Sequence, residues 1–545
     1  MRALYGVARQ RVHGDVNLTG EAYGSVGQPG RRPGSSWRAQ VSPRIDLGFG
    51  ISATADALFS SEGTQLRQNI NQAGFNPEWS WGKLYLGDFS RPLTQYTVQG
   101  VRSRGAGLDL RFGGWQANVQ TGRTQRAVSR PGDQLVFERR LSAGNLEWRH
   151  GSGLGVGVSV AHAKDNPNSV ERNLLIADSL ALDSLVADTL LDPFRPRPQA
   201  STRPQENLVG GLALELPLFR QTLRLKGEVA GALLSSDITR PRIADGAGGA
   251  LDVLDPLMPL RLSTHGDVAW NGEAQLALGG VSLRGQVERI GPGYTSLGLG
   301  YLIGDRRSWM LGGAVPFLGA RGTLSLQAQR MADNVLGQKT FTPGRDHYVA
   351  AISVRPVESV SLSANALYNL VGNDAPDDSL RRDVRMLSLN TGAGLTHGVF
   401  GRRATTTLAW TFQRTDDAAP RPLAPDVTVQ NVTVSEQVNL TDAIALAPSL
   451  SWAVTAPAGG TAQRNAFVGF RAQARGWKDR LNSSATLSRT FTAGRQVTAA
   501  RVQATWQLPY EASLLLQGRW NAYSAFATRP AFRESFLTLA MSRPF

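Results

Sequence analysis

Along much of the chain, apolar and polar side chains take turns, the two-residue period of an extended strand whose faces meet different surroundings. Ala500, Val502, Ala504, Trp506 and Leu508 alternate with Arg501, Gln503, Thr505 and Gln507. Ala512, Leu514, Leu516, Trp520 and Ala522 stand against Ser513, Gln517, Arg519 and Asn521, and Ala466, Val468, Phe470 and Ala472 against Asn465, Arg471, Gln473 and Arg475. Upstream, Val268, Trp270, Ala274 and Leu276 oppose Asp267, Asn271, Glu273 and Gln275, while Leu223, Leu225 and Val229 oppose Arg224, Lys226 and Glu228. If the apolar faces meet hydrocarbon, the charged faces must point inward, because an arginine turned to lipid at mid-membrane costs ~2–4 kcal/mol. The residues predicted to line a lumen are therefore Arg224, Lys226, Arg471, Arg475, Arg501, Gln503, Gln517 and Arg519.

A soluble sandwich would alternate as well, so the connections decide between the two. Counted back from the C-terminus, short ones near 509–511, 475–478, 439–441, 397–401, 356–358, 317–319, 279–280, 217–219, 151–152 and 113–114 interleave with longer ones. The longer set falls near 524–530, 456–463, 415–426, 372–381, 333–344, 291–305, 234–264, 165–205 and 127–134, with one of medium length near 492–496. This two-beat rhythm fits a transmembrane barrel with short periplasmic turns and long extracellular loops. The predicted fold class is all-β: a single large antiparallel transmembrane β-barrel of about 24–26 strands, residues 1–545 forming one domain. Upstream of about residue 100 the rhythm fails, and the stretch 60–99, with a turn expected at Gly87-Asp88, reads equally as one strand or two. The absence of proline and glycine from 170–192 predicts a short amphipathic helix in the loop 165–205.

Composition agrees with a barrel. No apolar run approaches the ~20 residues of a spanning helix, and only helices and closed barrels satisfy their backbone in lipid. There is no cysteine, which excludes disulfides and thiolate sites. The net charge of +15 comes almost wholly from arginine, the lysines being Lys83, Lys164, Lys226, Lys339 and Lys478. The arginines are scattered over polar strand faces rather than clustered among aromatics, so no nucleic-acid partner is expected.

Motifs for catalysis or phosphate binding (G-x-S-x-G, H-E-x-x-H, G-x-x-x-x-G-K-[ST]) do not occur. His162 and His347, near Asp165 and Asp346, are the histidines to inspect for rim chemistry, and the expectation is solvated rim residues. The glycine-rich stretch Gly291–Tyr301 lacks the strand-then-helix setting of a nucleotide loop and reads as an extracellular loop with interfacial tyrosines. Asp178, Asp183 and Asp188 recur every five residues, which fits no calcium loop. No catalytic residue, cofactor or metal site is predicted.

At the C-terminus Leu537, Leu539, Met541 and Phe545 share one face, and Glu534, Thr538 and Ser542 the other. A terminal aromatic on such a strand resembles the C-terminal signal of Gram-negative outer-membrane β-barrels. The resemblance implies an outer-membrane location, Phe545 as insertion signal, the barrel assembly machinery as a partner, and contact with outer-membrane lipid and lipopolysaccharide. Loop arginines such as Arg240, Arg242 and Arg421 are candidates for lipopolysaccharide phosphates. Met1-Arg2 begins no secretory signal, so the chain is expected to be a mature or truncated product.

A barrel of this size encloses a wide bore that calls for a plug. A segment preceding Met1, a periplasmic or plug-forming partner, or loops folding inward would supply one. The expected function is an outer-membrane channel or translocon with an arginine-lined lumen. Its expected gate is the acidic loop 165–192 with Asp178, Asp183 and Asp188. The alternative is a non-conducting structural barrel or assembly platform for surface proteins.

Overall fold

A computed structural model describes the chain except residues 1–11, 28–33, 62–70, 130–134, 172–202, 244–254, 423–424, 493, 510, 526–529 and 545. The expected helix in 170–192, the aspartates Asp178, Asp183 and Asp188, and Phe545 therefore lie outside the described residues, apart from 170–171.

The described residues form one sheet of 26 strands. In order these are β1 (Val12–Val26), β2 (Ser35–Gly48), β3 (Ile51–Ser60), β4 (Gln72–Trp79), β5 (Gly82–Phe89), β6 (Ser103–Phe112), β7 (Trp115–Gln125), β8 (Glu138–Arg149) and β9 (Gly155–Asn166). Then come β10 (Glu206–Leu218), β11 (Leu223–Ser235), β12 (Thr264–Leu278), β13 (Val281–Ile290), β14 (Arg306–Phe317), β15 (Gly322–Asp333), β16 (Pro343–Val357), β17 (Val360–Asn373) and β18 (Asp383–Val399). The last are β19 (Arg402–Asp417), β20 (Val427–Asn439), β21 (Ile444–Pro457), β22 (Gln463–Gly476), β23 (Leu481–Thr492), β24 (Arg495–Gln507), β25 (Ser513–Tyr523) and β26 (Phe532–Pro544). Each pairs antiparallel with its neighbours in sequence, and β1 closes on β26 from Asp15↔Pro544 to Val26↔Arg533. Closure leaves no free edge, the one sheet arrangement that lipid tolerates. The only helical turn among the described residues is a 3-10 turn at Pro167–Ser169.

Partners directly opposite each other share a face, so the register sorts side chains around the whole ring. Val502, Leu516, Leu537 and Leu539 fall on one face and are each about half exposed, and Val119, Val158, Leu212, Leu326 and Leu450 continue the same apolar band on other strands. Aromatic side chains crowd the short-turn end, with Phe49, Trp81, Phe112, Trp115, Phe219, Phe400 and Trp477 exposed there. An outward apolar band with an aromatic girdle is the surface of a membrane barrel.

The alternation of short and long connections extends to the N-terminus, contrary to the expected failure upstream of residue 100. Connections 49–50 and 80–81 are short, and 61–71 and 90–102 are long. The ambiguous stretch holds two strands, β4 and β5, joined at Ser80-Trp81. Gly87 and Asp88 make no turn; they lie within β5, opposite Gly74 and Arg104 respectively. Gly87 has a φ of +88°, and a Cβ there would meet the Ala73 carbonyl oxygen, so the residue accommodates a local irregularity in a strand that continues through it.

Candidate functional site: the barrel interior

Two long connections fold inward and meet. The first, 90–102, leaves β5 and crosses the inner wall as far as β13. Arg91 binds Asp109 of β6 at 2.9 Å and Asn118 of β7 at 3.0 Å. Leu93 and Val98 pack on Leu141 and Ala143 of β8 and Ala161 and Ala163 of β9. Tyr96 packs among Val209 of β10, Ala230 and Ala232 of β11, Ala269 of β12 and Ile290 of β13. The second connection, 291–305, lies against the first: Gln99 and Leu299 form a parallel bridge, with Gln99 N–H donating to the Gly298 carbonyl at 3.0 Å.

Polar side chains hold this strap in place. The Tyr96 hydroxyl donates to Glu288 at 3.1 Å, Gln95 donates to the same carboxylate at 2.9 Å, and Arg306 pairs with it at 2.6 Å. Tyr294 donates to the Tyr96 carbonyl at 3.0 Å and Ser296 to the Thr97 carbonyl at 2.7 Å. Asn207 donates to the Leu233 and Thr295 carbonyls, both at 2.9 Å, and accepts from Leu297 N–H at 2.9 Å. Apart from Arg306 Nε, every buried polar side-chain group named here has a partner, the condition for a fixed polar network. Burial, and after it the nearby Glu288 and Glu228 charges for Tyr96 and the Glu228 charge for Tyr294, pushes both tyrosine hydroxyls far above their ordinary pKa.

The strap corrects one expectation. Tyr294 does not sit at a membrane interface; it is buried against Tyr96 inside the barrel, ring centroids 6.1 Å apart, while Tyr301 is exposed. The strap residues have no periodicity of their own. The signal lies beneath them, where inward positions of β8 to β12 are Ala143, Ala161, Val209, Ala230 and Ala269 rather than polar.

The histidine pairs are also not those that sequence proximity suggests. His162 contacts Glu206 at 3.1 Å, while Asp165 pairs with Arg139 at 2.7 Å. His347 contacts Asn369, while Asp346 lies 3.5 Å from Arg330. An odd sequence offset on a strand places two side chains on opposite faces, so neither His–Asp pair can form.

The eight residues singled out from the sequence all occupy the face opposite the exposed apolar band, in two different settings. Arg224 and Lys226 lie on β11, on the same face as Ala230 beneath the strap, and both reach Glu215, at 3.5 and 3.6 Å. Carboxylates accompany cations throughout this sector; Arg284 pairs with Glu273 at 2.9 Å. On the other side, Arg501 stands directly opposite Arg519 and, across its other edge, opposite Thr486, which is itself opposite Arg471. Gln503 and Gln517 oppose each other one step nearer the short turns. Arg471, Arg475, Gln473 and Gln503 line a cleft of about 720 Å³ that also receives Arg402 and Arg403. Arg471, Arg475 and Arg501 make no ion pair with any described residue; Arg519 donates to Asn521 at 3.3 Å and stacks on Phe536 at 5.6 Å. Phe536, Tyr23, Phe532 and Tyr523 share that polar face, a departure from strict alternation near the seam.

No family model and no curated protein matches the chain. Solved structures with similar architecture include the siderophore receptor PirA from Pseudomonas aeruginosa (11% identity, TM-score 0.40, covering 98% of this chain and 80% of that one). The alcaligin outer membrane receptor FauA from Bordetella pertussis gives 9% identity and a TM-score of 0.38 over 98% of this chain and 76% of that one. The P pilus usher PapC translocation pore gives 12% identity and a TM-score of 0.25 over 97% and 98%. At such scores the assignment of the fold rests on the pairing of this chain's own strands. Closed on itself, apolar outside and girdled by aromatics at its short turns, the chain is a 26-stranded antiparallel β-barrel with the surface of a transmembrane barrel.

Proposed function

We propose that this barrel is a channel whose solute path runs beside the β19–β25 wall and favours anions. One observation supports the reading above the others: Arg501 and Arg519 face each other directly on neighbouring strands, with Arg471 two strands away and no carboxylate among the described residues paired to Arg471 or Arg501. Like charges directly opposite each other destabilise a sheet. Such a row is sustainable where water and mobile anions screen it, and it raises the local anion concentration. The strap covers β6 to β13, so the open part of the bore lies on the arginine side. The acidic segment 165–192, with Asp178, Asp183 and Asp188, is proposed as a gate drawn to this wall by opposite charge. Removing 170–192 should then raise conductance and alter anion preference, and unchanged recordings would exclude the gate.

Reversal potentials in planar bilayers under a salt gradient test the main reading. The wild type should prefer chloride over potassium, and Arg501→Gln combined with Arg519→Gln should move the reversal potential toward zero. Absence of any current would favour the non-conducting structural barrel.

A further inference from the structure

A second row of cations lies on the outside of the barrel. Arg104 of β6 is directly opposite Arg123 of β7, Arg123 opposite Arg140 of β8, and Arg140 opposite Lys164 of β9. Strands in a sheet are ~4.8 Å apart, so four positive side chains stand side by side across four neighbours. They share the face of the exposed apolar residues Val119, Leu146, Val158 and Val160, and the opposite face is sealed by the strap on Ala143 and Ala161. Arg104 is the second residue of β6, and Lys164 is the third from the end of β9. Both strand ends border long connections, which places the row at the extracellular rim, above the lipid-facing band.

Carboxylates neutralise this row only in part. Asp88 pairs with Arg104 at 2.6 Å and Glu206 with Lys164 at 3.0 Å, closing the two ends. Between them Glu138 is shared by Arg123 at 3.5 Å and Arg140 at 3.3 Å. Beside the row is a cleft of about 480 Å³ lined by Arg102, Arg104, Arg123 and Arg126, with Asp88 the only acidic one among the described residues of its lining. Arg102 makes no ion pair with a described residue. A guanidinium fork matches the oxygens of a phosphate, and a row of cations matches a headgroup with more than one. An apolar strip directly beneath the row suits acyl chains.

We propose that the outer face of β6–β9 binds the phosphorylated headgroup of an outer-leaflet glycolipid, with its acyl chains along Val119, Leu146, Val158 and Val160. Phosphate chemistry is shared by free phosphate and by ordinary anionic phospholipids, and the test separates them. Purified barrel in neutral detergent is titrated with bisphosphorylated lipid A, dephosphorylated lipid A, phosphatidylglycerol and inorganic phosphate, and binding is read by native mass spectrometry. Lipid A should bind saturably. Dephosphorylated lipid A and phosphatidylglycerol should bind at least about tenfold more weakly, as should lipid A to the Arg123→Gln, Arg140→Gln variant. Heat-modifiable gel mobility confirms that the variant is folded, and its anion preference in bilayers should equal that of the wild type. Equal lipid A binding by the folded variant overturns the proposal. So does phosphatidylglycerol binding as tightly as lipid A, or displacement of lipid A by equimolar inorganic phosphate.

Discussion

At the scale of single residues, the interior depends on a few contacts with little slack. A Cβ on Gly298 would lie 2.6 Å from the Thr97 carbonyl oxygen and 3.1 Å from Val98 Cγ2. Gly298→Ala must therefore push the two connections apart, at a cost typical of overpacking, ~1–3 kcal/mol. The amides of 96–99 should lose hydrogen-exchange protection while those of the barrel strands keep theirs. Tyr96 and Tyr294 carry a pH signature. Their buried hydroxyls hold their protons far above the ordinary value of about 10, so the stability they lend is complete below that pH and lost as pH rises beyond it. In a spectrophotometric titration of the intact barrel to about pH 11, the Tyr96→Phe, Tyr294→Phe variant should give the same tyrosinate absorbance as the wild type. A smaller signal from the variant would mean that these hydroxyls ionise and that the strap does not exclude water from them.

At the scale of elements, the strap is tied to a third connection. Asp305 accepts from Val335 N–H at 2.7 Å and pairs with Lys339 at 2.6 Å, and Lys339 also meets Asp333 at 2.8 Å. Burial works to raise the Asp305 carboxyl, but hydrogen bonds from Lys339 and Val335 together with the Lys339 charge hold it below its ordinary value. The clamp is therefore complete above about pH 4 and weakens as pH falls further, whereas the raised Lys339 loses its contribution only on the alkaline side, above about pH 10. Asp305→Asn should loosen 334–342 at neutral pH, detected as faster exchange of the Val335 and Lys339 amides. The strands themselves were legible in the sequence because lipid on one side and water on the other imposes a period of two, and the turn lengths gave their direction. The strap was not legible: a segment such as Leu93–Gln99 is ordered by tertiary contacts with Glu228 and Glu288 from distant strands. The first strands were missed for a milder reason, since Gly14, Gly20 and Gly24 in β1 interrupt the apolar face.

At the scale of the whole molecule, the inner wall is divided between β6 to β13, which the strap covers, and the β19–β25 side, and charge follows the division. Arg224 and Lys226 on β11 and Arg284 on β13 are paired with Glu215 and Glu273, while Arg471, Arg475 and Arg501 on β22 and β24 pair with no carboxylate among the described residues. If the path proposed beside β19–β25 conducts, a charged reagent in the bath must reach that wall from solution but not the wall beneath the strap. The natural chain has no cysteine, so single introduced thiols report accessibility without background. In bilayers, a membrane-impermeant anionic methanethiosulfonate should react quickly with Gln503→Cys, on the lining of the arginine cleft, and cut the current stepwise. Ala230→Cys, fully buried against Tyr96, should react slowly or not at all until the strap is removed by replacing 92–100 with a short turn. That replacement should also enlarge the single-channel conductance. Equal reactivity at the two positions in the intact barrel would show that the strap is no barrier, and the path beside the arginines would lose its structural basis.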